Sequence, residues 1–239
     1  DMQLHTNTQG EPAGFDIFIN EAIKASQIKS QAKGQSTLWF PAGPNSVPNN
    51  LTGYMENGIG RVNCVAFSPT NTNTYYVGVA QGGIWKTTDG GETYSALGDS
   101  LPYVSVGNIC VDHQNPDIIY ITIGDHIGWW NYGLGVYKSV DGGLTWQPTS
   151  HVSEFTNSIA YMRMVMNPVN SQELFVAQTN GLYRTQDGGD TWELVHDGSH
   201  HDVIFKPGSD TVLYCATDDY WGSSEVYTSY DNGANWTQS

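Results

Sequence analysis

One eight-residue pattern occurs four times in the chain: TTDGGETY at 87–94, SVDGGLTW at 139–146, TQDGGDTW at 185–192 and SYDNGANW at 229–236. Each copy has a hydroxyl residue, an Asp two positions on, Gly or Asn, then Gly, and an aromatic at its end. The Asp carboxylate can accept hydrogen bonds from the amides of its own turn, and Gly tolerates positive φ without a side-chain clash. The closing aromatic supplies a large apolar body that anchors the turn between strands. Recurrence at roughly 45-residue intervals marks a repeat architecture rather than unrelated turns.

The segments between these turns read as strands. In the first copy apolar runs cover 62–67, 75–80 and 83–86, with a fourth piece starting near Tyr94. Pro/Asn/Asp-rich turns at 68–71, 112–116, 167–170 and 206–210 join the first two runs of each repeat, a hairpin signal. Second runs follow at 118–123, 173–177 and 211–216, and third runs at 135–138, 181–184 and 225–228 lead straight into the Asp turns. One four-stranded antiparallel sheet per repeat of 40 to 50 residues is the pattern of a β-propeller blade. The expected fold is therefore all-β, with blades at 61–104, 105–150, 159–198 and 201–239 in a propeller spanning 36–239. A polar leader, 1–35, precedes it. There Phe15, Phe18, Ile19, Ala22 and Ile23 fall on one face of a short helix.

The turns resemble the Asp-box, or BNR repeat, found between the third and fourth strands of blades in sialidases, xyloglucanases, sortilin-type receptors and photosystem assembly factors. The stretches GRVNCVAFSP at 60–69 and VAQGGIWKTTDGG at 79–91, with Trp39 and Gly43-Pro44 upstream, are most similar to exported Asp-box propellers of Bacteroidota, many of them type IX secretion cargo. The resemblance covers nearly the whole chain and implies fold more strongly than activity. Such families have more blades than the four repeats here, so the chain is expected to be part of a larger propeller. The strand at 37–40 would serve either as the outer strand of an absent last blade or, in a closed four-bladed ring, as the completion of blade four.

Composition narrows the function. The formal net charge is −15 with only nine Lys and Arg, which opposes binding to phosphate backbones, so nucleic acid is not an expected partner. Three cysteines, Cys64, Cys110 and Cys215, match no zinc spacing and are too few for a disulfide scaffold, and they read as buried thiols. No apolar run approaches the roughly 20 residues that cross a bilayer, and membrane insertion is not expected. The chain begins at Asp1, as the mature product of an exported precursor would, and a secreted or cell-surface location is the expectation.

Site candidates come from what varies between repeats. Aligned on the hairpin turns, Cys64, Asn108, Arg163 and Asp202 occupy one position of the innermost strands, so Arg163 and Asp202 are candidates to line a channel mouth or to pair with each other. The connections between second and third strands are long and aromatic in two blades: GDHIGWWNYGLG at 124–135 and DDYWGSS at 218–224. Asp125, His126, Trp129, Trp130, Tyr132, Tyr220 and Trp221 there form a candidate binding surface for a glycan or a protein, because indole and phenol faces stack on sugars or anchor interfaces. The main expectation is a non-catalytic binding or adhesion module. The alternatives are a glycoside hydrolase fragment and a structural segment of a larger secreted protein.

The resemblance argues against a complete active site. Sialidases need three clustered arginines, and Arg61, Arg163 and Arg184 are the only ones here, with Arg184 at the third-strand position of Lys86 and Lys138. Xyloglucanases of this type carry a carboxylate shortly before the Gly-Gly that opens the third strand, where this chain has Ala80. Asp125 with Asp218 or Asp219 is the one carboxylate pairing that loop position allows. No cofactor is expected. A metal ion is not expected either, since the adjacent His200 and His201, with Asp197 and Asp202 nearby, would point different ways. Asp89, Asp141, Asp187 and Asp231 are assigned to holding turns.

Overall fold

The computed structural model describes residues 61–103, 105–125, 133–152, 159–217 and 224–239. The leader helix and the strand at 37–40 lie outside these residues. The chain divides into two compact units, and the larger comprises Gly60–Asp99 with Val104–Ser239. It holds four antiparallel meanders: β1 (Val62–Phe67) to β4 (Ser95–Ala96), β5 (Val106–Val111) to β8 (Gln147–Val152), β9 (Tyr161–Met166) to β12 (Glu193–His196), and β13 (His200–Phe205) to β16 (Thr237–Gln238). The strands between them are β2 (Tyr75–Val79), β3 (Gly83–Thr87), β6 (Ile119–Ile123), β7 (Gly135–Ser139), β10 (Leu174–Gln178), β11 (Gly181–Thr185), β14 (Leu213–Thr217) and β15 (Glu225–Ser229). The first strands β1, β5, β9 and β13 pack against one another in that order. Four meander sheets arrayed on their innermost strands are propeller blades, and no helix occurs among the described residues.

Each blade takes its fourth strand from its own sequence. In blade four, Thr237 and Gln238 pair with Thr228 and Tyr227, so the chain itself occupies the outer edge of β15 there. That differs from the closed-ring alternative, in which the strand at 37–40 would hold this edge.

The cores lie between blades. Tyr120, Val136, Tyr161, Met164, Leu174 and Val176 fill the seam of blades two and three, and Phe175, Ala177, Leu182, Val203, Leu213 and Cys215 fill that of blades three and four. A blade flanked on both faces has no polar side, which is why β6 (IYITI) and β10 (LFVAQ) are buried throughout instead of alternating. The end blades differ. Val65 is 50% exposed although its register equivalents Ile109, Met164 and Val203 are at most 9% exposed, and Val226 is 49% exposed where Ile84, Val136 and Leu182 are fully buried.

The Asp turns have one geometry four times over. In the first, Asp89 Oδ1 accepts from Thr87 Oγ1 (2.7 Å) and Thr93 N (3.0 Å), Asp89 Oδ2 accepts from Thr93 Oγ1 (2.5 Å), and Gly91 N donates to Thr87 Oγ1 (2.9 Å). Asp141, Asp187 and Asp231 repeat these bonds, with Asn235 replacing Thr in the last copy. The donors stabilise the carboxylate form and hold the Asp141 and Asp187 carboxyls at about 2, with Asp89 and Asp231 also lowered, the Thr or Asn side chain four residues on being the largest cause in each. The two Gly positions are not alike. The first is open at Gly90 and Gly142, where a Cβ would meet nothing nearer than 3.5 Å, and in the fourth copy it is Asn232, at φ 60°, in the left-handed region that Asn tolerates. Only at Gly188 would a Cβ be crowded, by the Gln172 side chain. The second also lacks room: a Cβ would meet Leu97 at 2.6 Å from Gly143, Thr149 at 2.9 Å from Gly189 and Phe175 at 2.6 Å from Gly233, each a side chain of the preceding blade.

A cation on the third strand of blades one, two and three reaches the next blade. Lys86 Nζ donates to Gly142 O (3.5 Å), Lys138 Nζ to Gly188 O (2.9 Å) and Arg184 Nη1 to Asn232 O (2.6 Å), all carbonyls of the following Asp turn. These residues are fasteners between blades, as their shared position in the repeat suggests.

Candidate functional site

Register defines the two edges of the array. Val62 pairs with Val79, Val106 with Ile123, Tyr161 with Gln178 and His200 with Thr217, so the starts of the inner strands and the connections from second to third strands share one edge. The Asp turns and hairpin turns share the other, tied by bonds such as Gly90 N to Asn73 O (2.9 Å) and Gly142 N to Asp117 O (2.9 Å). The loops that vary are therefore grouped away from the turns that repeat.

On the variable edge the chain builds a compact polar cluster across the first seam. Asp125 follows β6 directly after Gly124, whose φ of 133° turns the chain out of the strand. The Asp125 side chain is 2% exposed. Its Oδ2 accepts from Arg61 Nη2, and its Oδ1 accepts from Asn63 Nδ2 at 3.4 Å. Asn63 Nδ2 also donates to Val106 O (3.0 Å), and Arg61 Nε donates to Asn63 Oδ1 (3.1 Å). Asn63 is the extra residue of a β-bulge between Val62 and Cys64, which re-aims its side chain toward blade two. Arg61, 40% exposed, joins this buried carboxylate to the open edge. An ion pair so placed is a fixed polar fixture, since removing either partner leaves the other desolvated and unpaired.

The inner-strand position shared by Cys64, Asn108, Arg163 and Asp202 is confirmed by register, where they oppose Gly78, Thr122, Ala177 and Ala216. It does not form a uniform polar ring. Asn108 is buried and spends its amide on Thr122 Oγ1 (3.2 Å), Tyr161 O (3.3 Å) and Met164 N (3.3 Å), fastening β5 to β9. Cys64 is half-buried, its thiol pushed up to about 12 by burial. Arg163 Nε and Asp202 Oδ1 stand 3.7 Å apart with both side chains more than half exposed, an ion pair of little energetic weight. His126, Trp129, Trp130, Tyr132, Tyr220 and Trp221, with Asp218 and Asp219, lie outside the described residues.

Arg61 and Asn63 are the site residues that sequence reasoning missed. Their signal was faint: two polar side chains flanking Val62 at the start of an apolar strand, one of them on a bulge that a period-two reading passes over. His200 and His201 do diverge, His200 being fully buried and His201 exposed. All three cysteines are free thiols.

The propeller architecture agrees with the comparisons. A xyloglucanase from Paenibacillus sp is 26% identical over 238 residues, covering 85% of this chain and 23% of the relative. The structure of an ancestral GH74 enzyme superposes with a TM-score of 0.63 at 23% identity, over 75% of this chain and 25% of that one. The GH74 enzyme of Niastella koreensis superposes with a TM-score of 0.60 at 23% identity, over 74% and 30%. The chain thus spans about a quarter of the length of the curated relative it matches. No family model matches the sequence.

Proposed function

We propose that this chain is part of a secreted carbohydrate-active β-propeller that acts on a branched β-glucan of the xyloglucan kind. The observation that carries the reading is the buried Asp125 carboxylate, fixed by Arg61 and Asn63 on the edge where the variable connections emerge. A positioned carboxylate on a glycan-facing edge is what glycoside hydrolysis requires, together with a second one about 5 to 10 Å away. Similarity to proteins named xyloglucanases supports the substrate class. In this reading Trp129, Trp130, Tyr132, Tyr220 and Trp221 stack on glucosyl rings, His126 borders them, and Arg163 and Asp202 contact hydroxyls farther along the same edge. The four Asp turns are Asp-boxes that hold the blades and take no part in chemistry.

The apolar faces left exposed at Val65 and Val226 favour further blades on both sides of this array. A second reading, the non-catalytic binding module of an Asp-box protein such as Bacteroidota export, rests on Ala80, which stands where a xyloglucanase of this type is expected to carry a carboxylate. Affinity electrophoresis in xyloglucan combined with a reducing-end assay separates the two. Retardation weakened at least ~10-fold by Trp130→Ala with Trp221→Ala supports the glycan edge in both. Release of reducing ends that disappears in Asp125→Asn with binding retained supports the hydrolase; binding with no release supports the module. A protein whose migration xyloglucan does not change sinks the substrate class.

A further inference from the structure

The connection from blade three to blade four brings together three side chains that no role in glycan handling explains. His196 ends β12, His200 opens β13 and Cys215 lies in β14. Their ligating atoms all fall within 4.8 Å of one another. His196 Nδ1 and His200 Nε2 are 2.8 Å apart, and the rings meet edge to face at 4.9 Å between centroids. His200 Nδ1 lies 2.9 Å from Gly198 O. A neutral His200 must donate its Nδ1 proton to that carbonyl, leaving the Nε2 lone pair directed at His196. This is how a metal-ligating imidazole is held, one nitrogen fixed by a carbonyl and the other presented to the ion.

From this arrangement we infer a binding site for a thiophilic divalent ion, Zn²⁺, held by His196 Nδ1, His200 Nε2 and Cys215 Sγ. The separations suit it. In a tetrahedral site with Zn–N of about 2.0–2.1 Å the two nitrogens stand ~3.3 Å apart, so the imidazoles need open by only ~0.5 Å. Two imidazoles and a thiolate match zinc in softness, and the fourth position is left to water, which reaches the half-buried His196. Burial lowers the pKa of both imidazoles, which favours their neutral, ligating form, and raises the Cys215 thiol to about 12, a cost that thiolate coordination to the ion must offset. Binding therefore displaces one proton from Cys215 Sγ to solvent, and the His196 proton moves from Nδ1 to Nε2. The ion would link the last strand of blade three to the first and second strands of blade four.

The neighbouring seam supplies a built-in control. Its equivalent slots hold His151, Tyr161 and Val176, since Val176 pairs with Tyr183 as Cys215 pairs with Tyr227, and Tyr161 pairs with Gln178 as His200 pairs with Thr217. Cys215→Val and His200→Tyr thus install side chains that the same frame already accommodates. The experiment is metal analysis of the 239-residue protein after equilibration with zinc and dialysis, followed by cobalt substitution. The expected result is one bound equivalent, a near-ultraviolet thiolate-to-cobalt charge-transfer band, and a zinc affinity lowered at least ~100-fold in both variants. Cys110→Ser should leave the band intact, and circular dichroism of each variant should match the parent. Absence of bound zinc, or a charge-transfer band that survives Cys215→Val, overturns the proposal. If Cys215→Val does not fold, His196→Leu, the residue type at Leu97 in the first seam, decides in its place by the same affinity criterion.

Discussion

The seam between blades two and three and the seam between blades three and four are the same frame filled with different chemistry. In the first, the His151 ring packs 4.7 Å from Tyr183, 5.0 Å from Trp192 and 5.9 Å from Tyr161. In the second, His196 packs 4.5 Å from Tyr227, 6.0 Å from Trp236 and 4.9 Å from His200. Each histidine keeps the same three neighbouring slots within contact range, because blade register and the Asp-turn aromatic fix where each slot lies. Two of the slots change character, Tyr161 to His200 and Val176 to Cys215, and an aromatic box closed by a Gln178–His151 hydrogen bond becomes a cluster of nitrogen and sulfur donors. Repetition sets geometry in this fold, and departures from it set chemistry.

Four substitutions sharpen or break that comparison. The largest effect is expected at Phe175→Ala: the side chain is fully buried in the third seam beneath Gly233, and its loss should destabilise the protein by ~3–5 kcal/mol in urea unfolding. Next is His151→Leu. Burial lowers the His151 pKa to about 4, so between pH 6.5 and 4 the unfolded chain takes up a proton that the folded chain refuses. Stability is full above 6.5 and falls by about 3 kcal/mol as pH drops to 4, and the Leu variant should lose that dependence. If it persists, His151 is not the group that makes the second seam acid-sensitive.

Smaller effects should distinguish the fasteners. Arg184→Met removes the bond to Asn232 O and a double contact with Glu193, and about 1–2 kcal/mol is expected from urea midpoints. Tyr120→Phe deletes one donor to Gly188 O, which Lys138 Nζ still serves, and should cost no more than about 1 kcal/mol. Equal losses at these two positions would mean that the third seam is no more dependent on its polar stitch than the second.

Much of the fold was legible in the sequence because each repeat states it again. The hydroxyl-Asp-Gly pattern, the Pro/Asn turns and the apolar runs agree on strand, turn and order in every blade, and the shared position of Lys86, Lys138 and Arg184 reveals their common task. The polar clusters were not legible for a physical reason: they form across seams. Asp125 meets Arg61 and Asn63 from another blade, and His196 and His200 meet Cys215 from a different strand, so no spacing along the chain encodes either group. A bulge hides Asn63 further by shifting it off the period-two face. Asp125 itself could be found because it opens a connection that is long where others are tight, while a reader looking for metal ligands is drawn to the adjacent His201 rather than to a thiol fifteen residues away.

The third-strand cations give the array a direction. The turn carbonyls of Gly142, Gly188 and Asn232 are each served by a side chain of the preceding blade, Lys86, Lys138 and Arg184 in turn. Thr228 occupies the same slot in blade four and carries no charge to pass on. The stitches therefore all run one way along the chain, each cation lying ahead in sequence of the turn it serves, and in a circular permutant that begins at blade three Lys138 would instead follow the Gly188 turn whose carbonyl it caps.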